Sequence, residues 1–102
     1  MKDTIITEFV KFKVLETTKV EHLISKADIL NDFQKKQDGY FDAELVKGLE
    51  ENAWCIIYHY ESLEKVKVIG EKMRSSKVFD EFVPLIVPGS LSVTFYHQLK
   101  KW

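Results

Sequence analysis

Thiols, arginines and long apolar runs are scarce in this chain. Its one cysteine, Cys55, excludes an intrachain disulfide and a thiolate-rich metal centre, a usage that suits a reducing compartment. Its one arginine, Arg74, offers the planar fork for carboxylate or phosphate only once, which disfavours multi-phosphate ligands. No apolar run approaches the ~18 residues of a membrane span. The Met1-Lys2-Asp3 start also lacks a signal-peptide apolar segment. A cytoplasmic, unprocessed protein with no membrane partner is expected. Net charge is scarce as well: 15 basic against 16 acidic residues leave −1, so no strong field draws in nucleic acid. The four glycines are scattered, and no phosphate-cradling loop, dinucleotide fingerprint or Ser-His-Asp order is present.

What is present is the material of one core. At 102 residues and 45% hydrophobic content the chain suits a single domain, 1–102, without room for a second. Alternation of Ile6, Val10, Phe12 and Val14 with Lys11 and Lys13 predicts a half-buried strand within 5–15. Thr18-Lys19-Val20-Glu21 matches a capping box. Val20, Leu23, Ile24, Ala27, Leu30 and Phe33 follow at helical spacing, which predicts a helix from a Thr18 cap to about Lys36. Asp38-Gly39 turns the chain into an alternating strand, Tyr40 to Leu49. The aromatic and β-branched run Trp54 to Tyr60 reads as a strand in the middle of the sheet. Ser62 is placed to cap a second helix through Met73, and Ser75-Ser76 interrupts it before a short helical piece that ends near Pro84. Pro88-Gly89 turns into a last strand, Leu91 to His97.

Strand, helix, strand, strand, helix, strand is the split βαβ order. It predicts an α+β, ferredoxin-like βαββαβ fold, a four-stranded antiparallel sheet with its helices on one face. By parity the other face carries Phe9, Lys11, Lys13, Tyr40, Asp42, Val46, Cys55, Ile57 and His59. That mixture is too apolar for water and too charged for a closed core, so a homodimer is expected to cover it.

The Asp38-Gly39-Tyr40-Phe41 turn, the long helix ending in Phe33, the Trp54 to Tyr60 strand followed by Glu61-Ser62, and the Ser75-Ser76-Lys77-Val78-Phe79 break together resemble the antibiotic-biosynthesis-monooxygenase-like group of dimeric α/β barrel proteins. The resemblance covers nearly the whole chain. It implies a dimeric α/β barrel with a pocket between helices and sheet. It also implies an activity drawn from cofactor-independent oxygenases of aromatic compounds, haem-degrading enzymes and members without assigned chemistry. Haem-degrading relatives use an Asn, a Trp and a His where Val10, Tyr60 and Val83 stand here, so that chemistry is not implied. Relatives that oxidise phenols use Asn, Trp, Tyr and Arg around the pocket. Asn52, Trp54, Tyr58 and Arg74 are residues of those types.

Trp54, Ile56, Tyr58 and Tyr60 share one strand face, which makes either ordinary core or an aromatic wall for a flat ligand. His97 falls in register with Leu91, Val93 and Phe95 and is the candidate base toward a phenol; its plain alternative is a solvated strand end. The catalytic candidates are therefore His97, Tyr58 and Tyr60, with Trp54, Asn52, Phe12 and Arg74 as substrate-binding residues. His59 is expected in a structural hydrogen bond and His22 in solvent, and no metal spacing links the three histidines. Cys55 reads as a small hydrophobe. The leading expectation is a monooxygenase without a cofactor, acting on a small hydrophobic or aromatic ligand. Its competitors are a non-catalytic ligand-binding or stress-related dimeric module and an isomerase or lyase of the same fold.

Overall fold

A computed structural model describes residues 4–102; the Met1-Lys2-Asp3 start, read for the lack of a signal segment, lies outside them. The elements run β1 (Ile6–Lys13), α1 (Val20–Lys35), β2 (Tyr40–Lys47), β3 (Ala53–Tyr60), α2 (Leu63–Arg74), α3 (Lys77–Phe82), a 3-10 turn (Val83–Leu85) and β4 (Ser92–His97). The strands form one antiparallel sheet in the order β2-β3-β1-β4. The aromatic strand β3 is internal, as its two-faced apolar composition predicts, and β1 is internal beside it.

Alternation sets the two faces. Ile6, Phe12 and Val14 of the first strand region are buried with Ile56, Tyr58 and Tyr60 of β3, under Leu23 and Leu30 of α1, Val66, Ile69 and Met73 of α2, and Phe82 of α3. Phe12 and Phe82 meet edge to face at 5.6 Å, joining sheet to α3. Lys11 and Lys13, on the opposite parity, are exposed.

Three local expectations are corrected. The capping box does not form, because Thr18 N–H bonds Leu15 O in a turn at 2.9 Å. The helix starts one residue later, with Lys19 at its N-cap and no side-chain cap. The apolar stripe of α1 is also wider than its contact, since Val20 and Ile24 stay about half exposed while Gln34 is buried. Third, a bulge between Tyr40 and Asp42 shifts the register of β2. Tyr40, expected on the outer face, turns inward against Tyr58 and Tyr60, and Phe41 is left exposed. Just before it, Gly39 adopts φ +95° and lies against the Lys65 stem, a position that a Cβ would occupy at 2.5 Å from Lys65 Cγ.

The second helical region follows the sequence closely. Ser62 Oγ accepts from Lys65 N–H and caps α2, and Ser76 Oγ accepts from Phe79 N–H and caps α3. Helices cover β1, β2 and β3, but every residue of β4 is exposed, including Val93 and Phe95 on the helix side. Adjacent residues of α2 test this layering. Ile69→Ala is expected to lower stability by about 2–5 kcal/mol, whereas Val68→Ala, on the exposed face, stays within about 0.5 kcal/mol. Urea denaturation of the two variants measures both.

Candidate functional site

The uncovered strand leaves a hollow. A cavity of about 480 Å³ lies between the helices and the sheet, floored by Val10, Ile56 and Tyr58 and walled by Met73, Phe79 and Phe82. The exposed Val93 and Phe95 of β4 face Lys67 and Arg74 of α2, so the mouth opens between these two elements. Gly70 belongs to the same wall; the nearest atom to a Cβ built there is Arg74 Nη1 at 3.2 Å, so the helix surface is hollowed at that point. The volume falls in the range of small-molecule sites, and the lining is mainly apolar with few polar groups.

Glu8, Gln34 and Tyr60 are among those polar groups. Glu8 occupies the inward file of β1 between Ile6 and Val10, opposite Tyr58 in the β1–β3 register. Burial among apolar walls pushes its carboxyl up to about 7, while hydrogen bonding from the Tyr60 hydroxyl pulls the other way. Gln34 of α1 donates from Nε2 to Tyr60 Oη at 3.1 Å. The amide nitrogen faces Tyr60, and Gln34 Oε1 is buried without a hydrogen-bond partner. Tyr58 and Tyr60 are both driven above the ordinary tyrosine range, first by burial and then by the charge of Glu8. Tyr40 is pushed up to about 12 by burial and by Asp42, and its hydroxyl donates to Asn31 Oδ1 at 2.5 Å.

The residues singled out from the sequence divide. Tyr58, Tyr60 and Arg74 line the cavity. His97 does not: it lies one inward position beyond Phe95, opposite Ile6, where Nδ1 shares a 2.6 Å hydrogen bond with Thr4 Oγ1 at the exposed sheet end. Trp54 lies outside the lining with Lys47 Nζ 5.9 Å from its ring centroid. Phe12 is core under Phe82. Asn52 serves the β2–β3 turn, where it holds φ +61° and its carbonyl accepts from Val14 N–H at 2.9 Å. Sequence reasoning missed Glu8 and Gln34. The signal for Glu8 was a carboxylate at apolar parity in β1; that for Gln34 was an amide four residues after Leu30 on the inward stripe of α1.

On the outer face His59 Nδ1 donates to Asp42 Oδ1 at 2.7 Å, the structural bond expected of it. Phe9 and Tyr96 meet edge to face at 5.4 Å on the same face. Burial raises the Cys55 thiol, against the opposing pull of Lys11, which keeps it a thiol. Among the described residues no group of three or more His, Cys, Asp or Glu side chains gathers as for a metal, and no helix is long and apolar enough to cross a membrane.

No protein-family model matches the chain, and no curated protein matches it. Solved structures do. A mutant form of SnoaB, a cofactor-independent oxygenase from Streptomyces nogalater, superposes with TM-score 0.80 over 96% of each chain at 11% identity. A conserved protein from Methanosarcina mazei gives 0.72 over 93% of each chain at 17% identity. A Caulobacter crescentus protein described as a candidate antibiotic biosynthesis monooxygenase gives 0.74 over 96% of this chain and 92% of that one, at 15% identity. At such identities the likeness is one of architecture. The chain has the α+β, ferredoxin-like fold of these structures over nearly its full length.

Proposed function

We propose that this protein is a cofactor-independent monooxygenase that acts on a small aromatic metabolite held in the cavity between the helices and the sheet. The observation that carries this reading is the cavity itself, an apolar chamber of about 480 Å³ lined by Glu8, Tyr60 and Gln34, with Lys67, Glu71 and Arg74 contributed by α2. An apolar chamber with few polar groups orients a flat ring by its polar substituent. The fold shared with SnoaB supports the same reading.

The chemistry needs little from the protein. Removal of the O–H proton leaves an electron-rich phenolate, which reduces dioxygen directly. One oxygen atom bonds to the ring carbon and the other leaves as water, so phenol plus dioxygen yields quinone plus water. The protein binds the ring against Tyr58, takes up the proton and excludes water from the reactive anion. Arg74 and Lys67 at the mouth meet any anionic substituent of the ligand that projects outward.

A second copy completes the assembly in this reading. Phe41 and Tyr96 are more than half exposed, and Phe9, Val46, Cys55 and Ile57 stand near them on the outer face. Two-fold pairing of that face buries them.

Two outcomes are expected. Gly70→Leu fills the cavity from a helical position and weakens binding of a naphthol probe by about tenfold or more, since a lost apolar contact surface of this size is worth over a kilocalorie. Stability does not fall, because leucine is the better helix former; fluorescence titration and thermal melting read the two effects. In solution the wild-type protein has twice the chain mass and Ile57→Glu has the single-chain mass by light scattering. A wild-type monomer across the concentration range sinks the dimer.

A further inference from the structure

We propose that Glu8 is the catalytic base of this site, receiving the proton of a hydroxyl-bearing aromatic ligand while Gln34 Oε1 accepts a hydrogen bond from the same ligand. The inference rests on the reading of the cavity as an aromatic-ligand site and names the residue that does its chemistry.

The two groups first favoured from the sequence are less suited to accept a proton. His97 lies outside the lining and is engaged by Thr4. The tyrosines are poor proton acceptors, because burial and the neighbouring carboxylate hold both as neutral phenols. Glu8 remains, and its surroundings suit the task. It lines the cavity, it faces apolar walls, and among the described residues it forms no ion pair. An unpaired carboxylate in such a place is costly to the fold. A second acceptor, Gln34 Oε1, lines the same cavity without a hydrogen-bond partner, on a side chain only 4% exposed. A carboxylate without an ion pair and an amide oxygen without a donor define the complement they lack, a ligand that brings a hydroxyl hydrogen into an apolar chamber.

Tyr60 stands beside both in the same lining: its oxygen accepts from Gln34 Nε2, and its hydroxyl favours the ionised Glu8 carboxyl. In the step itself the ligand O–H bond breaks, the proton forms a new O–H on Glu8, and the electron pair stays on the ligand oxygen as phenolate. Glu8 becomes neutral as the ligand becomes anionic, so two negative charges never share the chamber. A carboxyl raised to about 7 is ionised on the alkaline side of neutrality and is still basic enough to compete for the proton.

The other titratable or charged groups around the chamber are Tyr58 and Tyr60 from β3, Lys67, Glu71 and Arg74 from α2, and His97 beyond Phe95 on β4. α1 contributes the uncharged Gln34, and α3 only Phe79 and Phe82. Lys67, Glu71, Arg74 and His97 are exposed, where water screens them, so the inner carboxyl dominates the response to pH.

The test compares 2-naphthol with 2-methoxynaphthalene, which has the same rings and no hydroxyl hydrogen. Wild-type protein is expected to bind 2-naphthol about tenfold more tightly, one charge-assisted hydrogen bond, at pH above about 7, and to lose most of that preference below it. Glu8→Gln abolishes the pH dependence, leaves 2-methoxynaphthalene binding unchanged and lowers oxygen consumption with a phenolic substrate by roughly a hundredfold or more. Equal binding of both probes at every pH, or a wild-type pH profile in Glu8→Gln, overturns the assignment while leaving the cavity as a ligand site. Binding of neither probe overturns the cavity reading and the assignment together.

A ligand-free measurement supplies the control for folding. The raised carboxyl favours the folded state while protonated, so the melting temperature of the wild type declines as pH rises from about 4.5 to about 7 and then levels. In Glu8→Gln that decline is absent and the protein is the more stable of the two above neutrality. A wild-type decline retained in the variant counts against Glu8 as the group that titrates.

Discussion

The central strand β1 is hydrogen-bonded along both edges, to β3 and to β4, and this double pairing leaves it no freedom to slip or rotate. Its parity is therefore imposed on everything above and below. Ile6, Val10 and Phe12 fall beneath the helices, and Glu8, standing between them in the same file, has to go where they go. A one-residue shift that returned the carboxylate to water would expose Ile6 and Phe12 together. Burial of the apolar file thus outweighs the cost of the single acidic member, and the charge is retained inside a hollow instead of being expelled.

The hollow has an equally simple origin. Three helices cover three strands, and β4 receives no roof. The short α3 and the 3-10 turn after it close one end through Phe82 and Ile86, and Ile86 is held opposite Val14 by the bonds from Leu15 N–H to Leu85 O and from Val87 N–H to Lys13 O. The other end stays open between α2 and β4, where Gly70 thins the helix wall. A longer second helix or a larger residue at position 70 would give a filled core like that around Leu23 and Ile69. Vacancy costs packing energy, so this chamber is the feature of the fold that least resembles a device for stability.

Much of the architecture was legible because it depends on local periodicity. The order of elements, the internal position of β3, the Ser62 cap and the Ser75-Ser76 break all follow from side-chain pattern and capping chemistry within a few residues. The misread places are those where a distant partner or a turn overrides the pattern. Thr18 looked like a cap until the Leu15 turn engaged its backbone, and Tyr40 looked outward until the bulge reversed it. Among the residues singled out, Tyr58 and Tyr60, chosen for their shared strand face and the family resemblance, and Arg74, chosen by residue type within that resemblance, line the cavity. His97 shares that parity and still misses the cavity, because parity gives the face of a sheet and says nothing of position along it.

The sequence by itself determined the fold class and the inward faces of β1, β3 and β4, since these follow from composition and from a period of two or 3.6. Tertiary structure alone decided which side chains share a site. Glu8, Gln34 and Tyr60 are separated by 26 residues or more in the chain, and each is unremarked in its own segment: an acid in a strand, an amide in a helix, a phenol in an aromatic run. They meet because the crossing of α1 over the sheet brings Gln34 to Tyr60 of β3, in a cavity that Glu8 of β1 also lines. Only that crossing creates the desolvated space in which a carboxylate changes from a surface charge into a base.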